Sequence, residues 1–145
     1  MMHRGLVVGI LAALCMTHCV GCGKEKGPEI GQVTGVVRVK GKPQKGLAIR
    51  FLPEPLPGVE LPINAAGFTD EQGKYELMYA YKDEKGPGAP VGMHRVLVDD
   101  SRYSSIPQGA PVPPRMFSTD YGRLNLTPLK VEVKPGPQTI DLDLK

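Results

Sequence analysis

The stretch from Gln32 to Lys40 reads QVTGVVRVK and alternates apolar with polar residues. Val33, Val37 and Val39 fall on one side of an extended chain, and the polar residues of the stretch fall on the other. A turn-forming segment, Gly41 to Gly46, follows directly. This pattern is typical of a β-strand that buries one face, so the stretch predicts the first strand of a sheet.

Six further segments show the same alternation between turn residues. They are Leu47 to Pro53, Ala65 to Thr69, Lys74 to Tyr79, Met93 to Asp99, Leu129 to Val133 and Ile140 to Leu144. No ten-residue stretch beyond the first thirty residues has an uninterrupted helical period, so no long helix is expected. Seven short antiparallel strands predict an all-β fold of two packed sheets. The predicted connections are Pro53 to Pro62, Lys85 to Pro90, Asp100 to Leu126 and Pro135 to Pro137.

The turn Asp70 to Gly73 separates the third and fourth predicted strands. Its glycine can supply the positive φ that a tight turn needs, and its aspartate can bond to its own turn backbone. The segment therefore predicts a hairpin in which Tyr75, Leu77 and Tyr79 share one face.

Composition limits the class of protein further. The 145 residues carry 18 Lys and Arg against 15 Asp and Glu, a formal net charge of +3, and Gly and Pro together number 33. This length fits a single domain, and the Gly and Pro content favours a loop-rich β protein. Nucleic-acid binding is not expected, because the positive charge is small and dispersed.

The N-terminus has the features of an export signal. Arg4 precedes an apolar run, Gly5 to Met16, that is shorter than the roughly 20 residues needed to span a bilayer. The following Val20-Gly21-Cys22 resembles the cleavage site of a bacterial lipoprotein signal. That resemblance implies cleavage before Cys22 and acylation of its thiol, for example with palmitate.

The cysteine positions agree with lipidation. Cys15, Cys19 and Cys22 are the only three cysteines, and none lies between residues 23 and 145. Cys19 stands where this signal family usually has Leu, so Cys19 and Cys15 are alternative acceptors, and an ordinary secreted protein is an alternative to lipidation. We divide the chain into a signal peptide (residues 1–21), a polar tether (22–30) and a β-sandwich (31–145). By analogy with lipoprotein sorting, Gly23 favours the outer over the inner membrane.

Five segments together resemble a known domain family. They are VTGVV at 33–37, GKP at 41–43, LAIRF at 47–51, FTDEQGKYEL at 68–77 and PVGMHRV at 90–96. Over residues 31 to 144 the chain is similar to carboxypeptidase regulatory-like domains, which are transthyretin-like. The resemblance implies a seven-stranded Greek-key β-sandwich that serves as a non-catalytic accessory, adhesive or carbohydrate-associated module.

Candidate catalytic residues are few. His94 is the one histidine after the leader, which excludes a two-histidine zinc or catalytic pair within residues 22–145. A Ser-His-Asp arrangement would need partners among Asp99, Asp100, Ser101, Ser104 and Ser105, without a Gly-x-Ser-x-Gly elbow. We expect His94 instead to start a strand on a partly exposed face. The transthyretin-like hydroxyisourate hydrolases need a second histidine and a Tyr-Arg-Gly-Ser tail, both of which residues 22–145 lack.

Binding residues are the better candidates. Aromatic side chains provide flat apolar faces with polar tips, and several lie on or beside the predicted loops. The candidate ligand contacts are Tyr81, Tyr103, Phe117 and Tyr121, with Tyr79 adjacent. Carboxylate pairs at 70–71, 83–84 and 99–100 lack the spacing of a calcium loop, so no metal site and no cofactor is expected.

These features predict a non-enzymatic lipoprotein anchored in the cell envelope, with its lipid in the membrane and a protein or glycan as partner. A hydrolase of unfamiliar type using His94 and loop carboxylates is one alternative. A passive structural spacer is the other.

Overall fold

The computed structural model of the chain describes residues 27–54 and 63–145. The predicted signal peptide, Cys22, most of the predicted tether and residues 55–62 lie outside the described residues.

The described residues form twelve strands and two short 3-10 helices. The strands are β1 (Ile30–Val39), β2 (Lys42–Pro43), β3 (Leu47–Pro53), β4 (Ala65–Phe68), β5 (Lys74–Glu76), β6 (Met78–Tyr81), β7 (Glu84–Pro87), β8 (Ala89–Pro90), β9 (Gly92–Asp100), β10 (Lys130–Val133), β11 (Gly136–Thr139) and β12 (Leu142–Leu144). The helices are η1 (Ser101–Ser105) and η2 (Thr119–Gly122). The prediction of an all-β fold with two sheets is confirmed.

The first sheet is built around β1. Strands β8, β5 and β2 pair antiparallel with its beginning, middle and end. Strands β11 and β12 run parallel to it, with Gly31 opposite Gly136 and Val37 opposite Leu142, so they continue one line of pairing. The expectation of purely antiparallel strands was therefore wrong. The pairing is parallel because β10 belongs to the second sheet, so the chain crosses from that sheet to the first before it pairs with β1.

The second sheet has the order β10-β9-β3-β4-β6-β7 and is antiparallel throughout. Its longest pairing joins β3 to β9, from Leu47 opposite Asp100 to Pro53 opposite His94. The alternation of Leu47, Ile49 and Phe51 places all three side chains in the core, as the sequence predicts.

The predicted strand Lys74 to Tyr79 is divided between the two sheets. Leu77, between β5 and β6, donates its N–H to the Val33 carbonyl at 3.0 Å and accepts from the Gly88 N–H at 2.6 Å. The prediction of a single strand here was wrong, because Leu77 is the point where the chain passes from one sheet to the other. The hairpin itself is confirmed between β4 and β6, where Ala65 pairs with Tyr79.

Two segments predicted as connections contain strands. Residues 85–90 form most of β7 and all of β8. Gly88 separates the two strands, and its φ of 113° is a backbone conformation that favours glycine. Pro137 lies within β11, which pairs only with β1 among the described strands. A proline is tolerated in such an edge strand because its missing N–H faces away from the partner strand.

The core lies between the two sheets. Both sheets contribute its fully buried side chains, and the largest are Phe51, Leu47, Ile49, Leu77, Leu142 and Leu144. Val33, Val37 and Val39 are buried, which confirms the prediction that they share the buried face of the first strand.

The sandwich has two distinct ends. We call the end where β1 begins the entry end. There the backbone carbonyl of Glu29 accepts a hydrogen bond from the Val91 N–H at 2.8 Å. Gly27 lies there beside the β6–β7 turn, residues 81–84. At the opposite end, the loop end, β1 turns at Lys40 and Gly41, and η1 follows β9. The long irregular segment 101–129 therefore begins at the end of the sandwich remote from the N-terminal segment.

Candidate functional site

A small cavity lies at the loop end. Its volume is about 70 Å³. Its lining comes from the end of β9, from η1, from η2 and from the segment before η2: Val98, Asp99, Asp100, Tyr103, Arg115, Met116, Phe117, Ser118, Thr119 and Gly122. We call it the loop-end cavity. It contains two of the four predicted ligand-contact aromatics, Tyr103 and Phe117.

Pro113 and Pro114 directly precede the cavity-lining residues 115–119 and are held by η1. The Tyr103 hydroxyl donates a 2.6 Å hydrogen bond to the Pro113 carbonyl, and the Arg102 guanidinium donates to the Pro114 carbonyl at 3.3 Å. Proline fixes φ, so these two consecutive prolines stiffen the chain that leads into the cavity lining. These two contacts fix Pro113 and Pro114 within the connection predicted from Asp100 to Leu126.

Two carboxylates of the cavity are paired with arginine. Asp100 accepts from Arg102 through both carboxylate oxygens, at 2.7 to 3.0 Å, and these bonds raise the pKa of Arg102. Asp99 accepts from the Arg50 guanidinium of β3 at 2.7 Å. The bidentate pairing of Arg102 with Asp100 fixes the position of the carboxylate as well as balancing its charge. Both carboxylates are therefore already neutralised from within the chain.

Arg115 has a different environment. Its guanidinium carbon lies 4.6 Å from the centre of the Tyr103 ring, a cation–π contact. Within residues 27–54 and 63–145, no carboxylate forms an ion pair with it. Arg115 is not predictable as a site residue from the sequence, because a lone arginine in a proline-rich loop forms no motif.

The η2 segment fixes the second pair of aromatics. Phe117 and Tyr121 meet edge to face, with ring centres 5.9 Å apart. Tyr121 is 7% exposed, and its hydroxyl accepts from the Lys145 N–H at 3.2 Å. Tyr121 thus joins the loop to the end of β12, whereas Phe117 stays partly exposed in the cavity wall.

Tyr81 lies at the other end of the molecule. It closes β6 at the entry end, with the Lys82 ammonium 5.1 Å from its ring centre. Tyr79, two residues earlier, packs partly buried against the core. The structure therefore does not bring the four predicted aromatics into a single site.

His94 does not lie on a partly exposed face, as the sequence analysis expected. Its side chain is fully buried in β9, with its ring centre 5.8 Å from that of Phe51. Nδ1 lies 3.0 Å from the Gly92 carbonyl, which can only accept, so Nδ1 carries the proton. Nε2 has no hydrogen-bond partner in the described part of the chain, and burial lowers the pKa of His94. The expectation was wrong because the periodicity of β9 places His94 with Val96 and Val98 on the core side.

A second concave surface lies beside β1 and β5. It is an open groove of about 540 Å³, and its residues include Thr34, Val36, Lys74, Glu76 and Thr139. Phe68, at the end of β4, borders it and is 70% exposed. Asp70 at its rim accepts from the N–H groups of Gln72 and Lys74, which confirms the predicted turn.

Two structural features of the described residues bear on metal binding and on membrane insertion. No group of three or more His, Cys, Asp or Glu side chains there is arranged to hold a metal ion. No helix in the same ranges is long and apolar enough to cross a membrane.

No family model, curated protein or solved structure matches the chain. The resemblances to a lipoprotein signal and to a carboxypeptidase regulatory-like domain therefore remain predictions from the sequence.

Proposed function

We propose that the chain is an exported lipoprotein, acylated on Cys22, that acts as a non-enzymatic binding module for a protein or glycan of the cell envelope. Residues 1–21 act as the signal and residues 22–30 as the tether. We include in the proposal a Greek-key, transthyretin-like connection of the sandwich and a location at the outer membrane.

The observation that carries the proposal is the placement of the two ends. Gly27, at the beginning of the described chain, lies beside the β6–β7 turn at the entry end. The loop-end cavity with Tyr103 and Phe117 lies at the opposite end. A lipid on Cys22, five residues before Gly27, would hold the entry end near the bilayer and present the loop end to the surrounding envelope.

The burial of His94 weighs against the hydrolase alternative. A general base must reach the proton that it removes, and the His94 ring has no exposed surface. The carboxylates that line the loop-end cavity, Asp99 and Asp100, are bonded to arginines rather than to His94.

The proposal is tested by photo-cross-linking of the full-length chain in its native envelope. A photoreactive residue replaces Val112, which is 67% exposed and lies three residues before Arg115 of the cavity lining. The matched control carries it at Met93, which is 38% exposed near the entry end, and a third strain adds Cys22→Ser. Intact mass measures the acyl chains on Cys22.

We expect acylation of Cys22 and an adduct from position 112 that is absent from position 93 and is lost in Cys22→Ser. If no protein adduct forms, the acylated protein is incubated with envelope glycans and tested for retention. Unmodified Cys22 would refute the anchor. Acylation with neither a protein adduct nor glycan retention would leave the passive spacer as the function.

A further inference from the structure

The charges around the loop-end cavity do not balance. Asp99 and Asp100 are neutralised by Arg50 and Arg102, at 2.7 Å in both ion pairs. Arg115 contributes a third guanidinium, and no carboxylate in the described ranges pairs with it. Among the described lining residues and their ion-pair partners, one positive charge, that of Arg115, is therefore uncompensated.

Arg115 is also held in position before any ligand arrives. It directly follows Pro113 and Pro114, whose carbonyls are bonded by Tyr103 and Arg102. The guanidinium carbon lies 4.6 Å from the centre of the Tyr103 ring, and this cation–π contact uses none of the guanidinium N–H donors. A pre-positioned donor loses less conformational entropy on binding than a mobile side chain does.

We propose that the loop-end cavity binds a carboxylate group of the envelope partner through the guanidinium of Arg115. The inference rests on the proposed function, because it takes the loop end to face that partner. A carboxylate matches the planar, two-donor edge of a guanidinium and carries the single negative charge that the cavity lacks.

Size and charge narrow the ligand chemistry. The cavity volume of about 70 Å³ is far below the roughly 300–1,000 Å³ of a pocket that encloses a whole small molecule. Only an end group enters, such as an acidic side chain, a chain terminus or the carboxylate of a sugar acid. A phosphate dianion would need a second unpaired cation, and among the described lining residues Arg115 is the one cation without an ion pair.

The test uses the full acylated chain in detergent micelles and follows the Arg115 Nε–H and Tyr103 ring resonances by NMR. Acetate is the first probe, with acetamide as its uncharged control. A peptide containing glutamate, compared with its glutamine counterpart, represents a protein source. Glucuronate, compared with glucose, represents a glycan source, and inorganic phosphate tests a different anion.

Three variants accompany these titrations. Arg115→Gln removes the charge, and Arg115→Lys keeps the charge without the planar guanidinium group. Arg123→Gln is the control, because it removes an exposed arginine that does not line the cavity. We expect saturable shifts with acetate and none with acetamide. Arg115→Gln should weaken binding about tenfold or more, the loss expected for one charge-assisted hydrogen bond, with Arg115→Lys intermediate and Arg123→Gln unchanged.

Each outcome decides the inference. Tighter binding of the glutamate peptide or of glucuronate supports it and identifies the source as protein or glycan. Absence of saturable carboxylate binding, equal binding by Arg115→Gln, or tighter binding of phosphate would overturn it. Because the NMR signals report on the cavity and intact mass reports on Cys22, failure of this inference is distinct from failure of the lipid anchor.

Discussion

The hydroxyl of Tyr75 donates a 2.6 Å hydrogen bond to the carbonyl of Ile140, across the full width of β1. Tyr75 lies in β5, opposite Gly35 of β1, and Ile140 lies between β11 and β12. Burial and the negative charge of Asp141 raise the pKa of the Tyr75 phenol, so it remains a donor. One side chain therefore connects both neighbours of the central strand of the first sheet.

Removing the Tyr75 hydroxyl tests how much this hydrogen bond contributes to the stability of the fold. Tyr75→Phe keeps the buried ring and leaves the Ile140 carbonyl without the phenol donor. We expect a loss of about 1–2 kcal/mol in the free energy of unfolding, the usual cost of an unsatisfied buried acceptor. Chemical denaturation measures it. The same substitution at Tyr79, which has no hydrogen bond in the described ranges that depends on its hydroxyl, should change stability less. Equal effects at the two positions would show that the Ile140 contact is not the cause.

Gly35 makes the Tyr75 contact possible. A Cβ at this position would collide with the Ile140 carbonyl and would lie 2.8 Å from Cε1 of Tyr75. We expect Gly35→Ala to destabilise the fold by at least about 2 kcal/mol, because backbone and a packed ring must both move. Gly27→Ala is the control, since a Cβ there has open space. Thermal unfolding of both variants measures the difference, and similar melting temperatures would contradict the argument.

The periodicity of the sequence was sufficient to predict the local features of the fold. The faces of β1, β3 and β9, and the Asp70 turn, follow from alternation and turn chemistry within a few residues. The exposure predicted for His94 was wrong although the alternation was right, because alternation places His94 on the side of Val96 and Val98 without showing that this side is already buried at the start of β9.

The remaining features depend on contacts between distant parts of the chain. Leu77 continues a regular alternation, and only its bonds to Val33 and Gly88 show that the strand changes sheets there. The sequence predicts that Tyr103 and Phe117 lie on a loop. Their separation from Tyr81 depends on the directions of β1 and β6, which the local sequence does not show. Arg115 became a candidate only when its neighbours Asp99 and Asp100 were seen to be paired.

Asp141 connects the edge of the first sheet to β1. Its carboxylate accepts from the Val36 N–H at 2.9 Å and from Arg38 at 3.0 Å, and these bonds lower its pKa. Both side chains of the ion pair are a third or more exposed, so solvent screens the charge. We expect Asp141→Asn to cost at most about 1 kcal/mol, because an amide oxygen can still accept from Val36.

Asp141→Ala loses both bonds and should cost more than Asp141→Asn, by about 1 kcal/mol. Urea denaturation of both variants at pH 7 measures the difference. Because the folded pKa of Asp141 is below its unfolded value, its contribution is present at neutral pH and is lost as pH falls below about 4. If the two variants were equally stable at pH 7, the Val36 bond would contribute nothing.

His94 provides a separate pH dependence. Its folded pKa is lowered, so the unfolded chain binds the proton more readily than the folded chain. Above the unfolded value of about 6.5 both states are neutral at this residue, and stability does not change. As pH falls below about 6.5, the unfolded state gains a proton that the buried ring resists, so stability decreases toward the folded pKa. This loss begins at a higher pH than the loss expected from Asp141.

The comparison with His94→Phe isolates this effect. Phenylalanine retains a ring against Phe51 and cannot titrate, so its free energy of unfolding should stay level between pH 7.5 and 5.5, where the wild type loses stability. Urea denaturation at four pH values across that range measures both slopes. A wild-type slope equal to that of His94→Phe would mean that the ring takes up a proton as easily when folded as when unfolded. In that case solvent would reach Nε2, and the hydrolase alternative would have to be considered again.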